Sequence, residues 1–172
     1  KLLHPMDELA AVEFLIDTLM STEDVIVCTL GPLTNIAHAL TEEPLIAPRI
    51  KQLVLMGGGH FEGGNITPAA EFNIFVDPQA AAQVFASGIP LVMMPLDVTH
   101  RAISTPSRIE AFRRLDTRAG DAVAGMLDFF HRYDIERYGQ PGGPLHDPTV
   151  IAYLIDPSLF AGRHVNVEIE TE

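Results

Sequence analysis

Apolar residues at Leu9, Val12, Leu15, Ile16 and Leu19 recur at the spacing of one helix face, so the segment after Asp7 is predicted to be an amphipathic helix. Short apolar runs then alternate with helical patterns. Asp24 to Thr29 reads as a strand, Leu33 to Leu40 as a helix, Gln52 to Met56 as a second strand, Pro78 to Ala86 as a helix and Pro90 to Met94 as a third strand. The strands are apolar in continuous runs, which requires burial on both faces. This βαβαβ order predicts an α/β fold with an open, mostly parallel sheet and helices on both faces. Farther along, Pro106 to Leu115, Arg118 to Ile135 and Pro148 to Leu154 are predicted helices, with Gly139 to Pro144 as a loop. The run His164 to Glu170 alternates apolar and polar residues, so an edge strand is expected there.

Composition narrows the partners. The 172 residues hold one sizeable core, and one domain is expected. A formal charge of -12, with Lys1 and Lys51 the only lysines, disfavours nucleic acid and anionic membrane surfaces. It suits a neutral or cationic small ligand or a divalent cation, although many soluble enzymes are acidic without any such ligand. Cys28, the only cysteine, lies in the apolar run Val25 to Cys28; it can form no intrachain disulfide and is expected to be a buried structural thiol. No apolar run approaches the about 20 residues that span a bilayer, and no signal-peptide pattern opens the chain, so a cytoplasmic location is expected. The start at Lys1 and the end at Glu172, just after a strand-like run, suggest a domain incomplete at both ends.

Candidate chemistry gathers where predicted strands end, as expected for the ligand rim of an open parallel sheet. Leu53 to Met56 runs into a loop with five glycines between Gly57 and Gly64, followed by Asn65, Glu71 and Asn73. Those glycines allow sharp turns and close approach to a ligand, and the amides and carboxylate offer the mixed donors and acceptors that sugar hydroxyls need. The loop has no lysine, and Glu62 stands where a dinucleotide fingerprint starting at Gly57 needs its last glycine. Leu30 to Asn35 follows the first strand and Leu96 to His100 the third; Thr34 and Asn35 read as helix caps, Asp97 as a turn or cap, and Asp77-Pro78 as a helix start. His146-Asp147-Pro148 places an imidazole beside a carboxylate at a helix entrance. Asp147 reads equally as an N-cap or as a ligand for metal or substrate. His146 reads as an unengaged loop residue or, with its neutral-range pKa, as a proton donor to a leaving group. Tyr133 and Tyr138 either stack on a base or pack at a helix end.

Four blocks, Thr29 to Ala37, Leu53 to Gly59, Ala70 to Pro78 and Pro144 to Pro148, resemble the inosine-uridine preferring nucleoside hydrolases in order and over nearly the whole chain. The resemblance implies an N-ribohydrolase acting on a nucleoside, with a calcium ion positioning water. An incomplete parallel sheet exposes apolar faces, so a homo-oligomer, or a second polypeptide bearing the missing pieces, is expected to cover them. The resemblance also implies that Asp147 and the main-chain carbonyl of Leu30 bind calcium. Asn65, Glu71 and Asn73, with Met56, then grip the ribose, Asp147 also faces the substrate, and His146 protonates or orients the departing base. The family's opening motif, Asp-x-Asp-Pro-Gly-x-Asp-Asp, is absent from this sequence. The calcium site is therefore expected to be incomplete in this chain, and a catalytically silent ribose-binding or assembly module is the alternative.

Overall fold

The computed structural model describes residues 8–139 and 141–172. Helix α1 (Glu8–Ser21) leads into strand β1 (Val25–Thr29), helix α2 (Thr34–Glu42), a 3-10 turn (Pro44–Arg49) and strand β2 (Ile50–Met56). Helices α3 (Phe72–Val76) and α4 (Pro78–Phe85) precede strand β3 (Leu91–Met94), and the short helix α5 (Leu96–Thr99) follows it at once. The remainder comprises β4 (Ile103–Ser104), α6 (Pro106–Arg113), α7 (Arg118–Tyr138), β5 (Gly143–Pro144), α8 (Pro148–Ile155) and a 3-10 turn (Pro157–Leu159).

Strands β1, β2 and β3 form a parallel sheet in that order, with Thr29 paired to Leu55 and Met56 to Met94. The alternation of β2 sorts its side chains between two cores. Leu53 and Leu55 join Val12 and Leu19 of α1, Ile36 and Leu40 of α2 and Val84 of α4. Val54 and Met56 face the other way, onto Met94, Leu96 and Val150 of α8. Both faces of the sheet are thus covered, as the continuous apolar strands require, and each fully buried aliphatic side chain contributes about 1.5 to 3 kcal/mol.

Three local expectations change. His164 to Glu170 forms no strand; Val167 and Ile169 are half-buried, with Ile169 against the first core, so the alternation reflects one-sided packing without a ladder. The predicted loop ends instead in β5, which pairs antiparallel with β4. A side chain at Gly142 would meet the Ser104 carbonyl at 2.3 Å, so this approach requires glycine. Cys28 is only partly buried, and burial raises its pKa.

Candidate active site

The glycine loop leaves the carboxyl end of β2 and is held by carboxylates distant in sequence. Glu71, 3% exposed, is the N-cap of α3. Its carboxylate accepts from the Asn73 amide with both oxygens at 3.0 Å, and its Oε2 also accepts from Ile74 at 3.3 Å and from Gly58 at 3.0 Å. Gly58 sits at φ +76°, the left-handed region that favours glycine. Asn73 is buried, and its Nδ2 donates to the Met56 carbonyl at 3.1 Å and lies 3.4 Å from the Met56 sulfur. Among the described residues Asn73 Oδ1 accepts no bond, yet it is not sealed from solvent. Asn65 Oδ1 accepts from the Phe72 amide at 2.8 Å, which leaves its NH2 group as the free donor.

Asp97 on α5 turns out to be neither a local turn nor a cap. Its carboxylate accepts from the amides of His60 (2.8 Å), Phe61 (2.7 Å) and Glu62 (3.2 Å). Burial pushes the Asp97 pKa up, but these amides outweigh it and hold the pKa below the usual carboxylate value. Asp77 does start a helix, capping α4 through the Ala80 amide. Thr34 is no cap; its hydroxyl donates to Asp77 at 2.6 Å, and that bond, followed by the Ala80 amide, lowers the Asp77 pKa.

The loop between β5 and α8 brings His146 to the same rim. Thr99, fully buried on α5, places its Oγ1 2.8 Å from His146 Nδ1. The His100 ring meets the His146 ring edge-on at 5.8 Å between centroids. Burial first, and then the neighbouring His100, pull the His146 pKa down to about 4. This corrects the expectation of a ready proton donor, because at neutral pH the imidazole is unprotonated. It is a neutral hydrogen-bonding group, and it can deliver a proton only where developing negative charge on a leaving group raises its pKa.

Asp147 has helical dihedrals, φ -58° and ψ -38°, and its side chain makes no capping bond, which settles the N-cap alternative against capping. The carboxylate is exposed on one side, and desolvation on the other raises its pKa. At the end of β1, Leu30 accepts no hydrogen bond among the described residues. The neighbouring Thr29 hydroxyl is buried and lacks a partner among them. The side chains of Tyr133 and Tyr138 lie outside the described residues.

These donors can be tested against calcium, the ion that the family resemblance implies. Leu30 and Asp147 offer hard oxygen ligands, as that ion prefers, but calcium takes about six to eight of them. Among the described residues no group of three or more His, Cys, Asp or Glu side chains is placed to hold a metal ion. The residues present therefore do not make a calcium site by themselves, and the chemistry open to them is that of their own side chains.

The chain and its fold have known relatives. The sequence model of the inosine-uridine preferring nucleoside hydrolases matches residues 3–172. The chain belongs to that family. It is similar to the pyrimidine-specific ribonucleoside hydrolase RihB of Escherichia coli, at 45% identity over 93% of this chain and 51% of that protein. An uncharacterized protein of Schizosaccharomyces pombe is 51% identical over 94% of this chain and 53% of its own length. In three dimensions the chain resembles a purine-preferring ribonucleoside hydrolase from Gardnerella vaginalis, with a TM-score of 0.88 and 36% identity over 94% of this chain and 52% of that one. The chain thus spans about half the length of the curated relatives it matches. Among the described residues no helix is long and apolar enough to cross a membrane.

The sequence pointed to each of these residues but not to their couplings. The bond of Thr99 to His146 and the reach of Asp97 to the glycine loop were missed. The block Leu96 to His100 at a strand end was their only signal.

Proposed function

We propose that this chain, as one α/β unit, carries the sugar-facing and base-facing part of a nucleoside N-ribohydrolase. The observation that carries this reading is the neutral, desolvated His146 beside an Asp147 carboxylate that has no bond among the described residues, set on the strand-end rim that also holds the glycine loop. Asn73 Oδ1 and the Asn65 NH2 group supply an acceptor and a donor to ribose hydroxyls. Glu71 Oε1 bonds only to the shared Asn73 amide and keeps a lone pair for another, and Met56 lines the sugar pocket. As the glycosidic bond breaks, positive charge grows on the ribose ring, and carboxylates and amide oxygens at the rim favour that state over the substrate. His146 orients the base and, once negative charge on the departing nitrogen raises its pKa, takes up a proton from water and passes it to that nitrogen, returning to the neutral imidazole. Asp147 faces the substrate and, with the Leu30 carbonyl, contributes two of the calcium ligands in a protein of the relatives' length.

For these 172 residues alone the shortage of metal donors favours binding over turnover. Ribose, inosine and uridine titrated into the chain should bind weakly, and Asn73→Ala should weaken them further. Base release with calcium in excess should be negligible. Turnover typical of a full-length relative, from a preparation shown by mass spectrometry to hold only this chain, would overturn that division of the site. Ribose affinity indifferent to Asn73→Ala would overturn the sugar assignment.

The reading includes self-association. Ile151, Leu154 and Ile155 form an exposed apolar row on α8. Light scattering over a dilution series should show oligomers that dissociate on dilution, and a monomer at every concentration would remove this part.

A further inference from the structure

Residues 96–102 touch both sides of the proposed site at once. Toward the glycine loop, the Leu96 amide donates to the Gly58 carbonyl at 2.9 Å, Asp97 takes the three loop amides, and His100 Nδ1 lies 3.2 Å from Glu62 Oε2. Toward the histidine-aspartate turn, Thr99 bonds His146 and the Ala102 carbonyl accepts from the Leu145 amide at 2.8 Å. Within this segment the His100 side chain meets a residue on each side, Glu62 on the loop and His146 on the turn.

The loop does not need the Glu62 side chain to hold its place, because Asp97 already binds the Glu62 backbone. A side-chain contact this exposed adds little stability. What the contact does is fix the His100 ring. His146, in turn, has one hydrogen bond among the described residues, to Thr99, and one bond at one ring atom leaves the plane of the imidazole free to rock. The tilted, edge-on contact with the His100 ring removes that freedom.

We propose that His100, held by Glu62, is a positioning residue that sets the ring plane of His146 and so ties the sugar side of the site to its base side. The structural tie stands on contacts alone; its value to catalysis rests on the nucleoside hydrolase reading above. The tie predicts that a change at Glu62 is felt at His146, although the two do not bond to each other.

The test uses the whole chain with isotope-labelled histidine, the His146 ring signals being assigned through His146→Gln. Glu62→Ala and His100→Ala should shift the His146 ring nitrogen and carbon signals while melting temperature and circular dichroism stay unchanged. Glu62→Gln, which keeps an oxygen able to accept from His100, should return the signals toward those of the parent. Folded Glu62→Ala and His100→Ala proteins with unmoved His146 signals would overturn the proposal, as would Glu62→Gln behaving like Glu62→Ala. A parallel ribose titration separates the two levels. Coupled His146 signals without ribose affinity in the parent remove the nucleoside reading and leave the tie, whereas ribose binding with uncoupled signals removes the tie alone.

Discussion

The glycine loop and the histidine-aspartate turn both border the rim, yet they treat their carboxylates in opposite ways. Around the loop, Glu71 and Asp97 are engaged by backbone amides, whereas Asp147 beside His146 accepts none among the described residues. Carboxylates bound by several amides build the scaffold, even where Glu71 Oε1 keeps one lone pair, and a carboxylate left wholly open is available to something that is not protein. The same contrast separates the histidines, since His146 is held by one hydroxyl and one ring edge while its surroundings strip it of charge.

The contrast can be broken most forcefully at Glu71. Glu71→Ala strands buried amides of α3 and Gly58 and should cost about 3 kcal/mol, read as a lower urea midpoint. Glu71→Gln keeps an acceptor and should lose about half as much. An alanine variant as stable as the parent would mean that Glu71 is held for a ligand and not for the scaffold.

A smaller loss, about 1 to 2 kcal/mol, is expected for Asp97→Ala, because the carboxylate is partly open to solvent. Asp97 also gives the comparison a pH axis. Its folded pKa lies below the ordinary value of 3.8, so its contribution is complete above that value and is lost as pH falls through the lower folded one. Urea midpoints followed from about pH 5 downward should drop less steeply in Asp97→Asn than in the parent. An unchanged slope would show that the loop amides do not depend on the charge.

The smallest effect belongs to Asp147. Asp147→Ala should leave stability within about 0.5 kcal/mol of the parent, because no bond among the described residues is lost. A loss above about 1 kcal/mol would make Asp147 part of the scaffold and dissolve the distinction.

The sheet and most helices were legible because burial on both faces writes continuous apolar strands, and helical spacing marks α1, α2 and α4. The short pair β4 and β5 was not, since Gly143 and Pro144 read as loop and the pairing depends on Gly142 fitting against Ser104. The His164 to Glu170 run misled because alternation records one-sided contact, whether or not a ladder exists. At the site, residue types were visible but their commitments were not. Nothing local marks Asp97 as the holder of amides 35 to 37 residues away, or Thr99 as the partner of a histidine 47 residues on. Asp147 before Pro148 has the pattern of a cap and stands at the N-cap position, and only its helical dihedrals and the missing side-chain bond show that it does not cap.

The reach of Asp97 also orders events in time. As the chain emerges from the ribosome, β2 and the glycine loop appear first, and their amides have no carboxylate to bind until about 36 more residues have followed. The nascent loop can close only after β3 has docked beside β2 and carried α5 to the rim, so a pause in translation between the loop and Asp97 leaves the pocket unshaped.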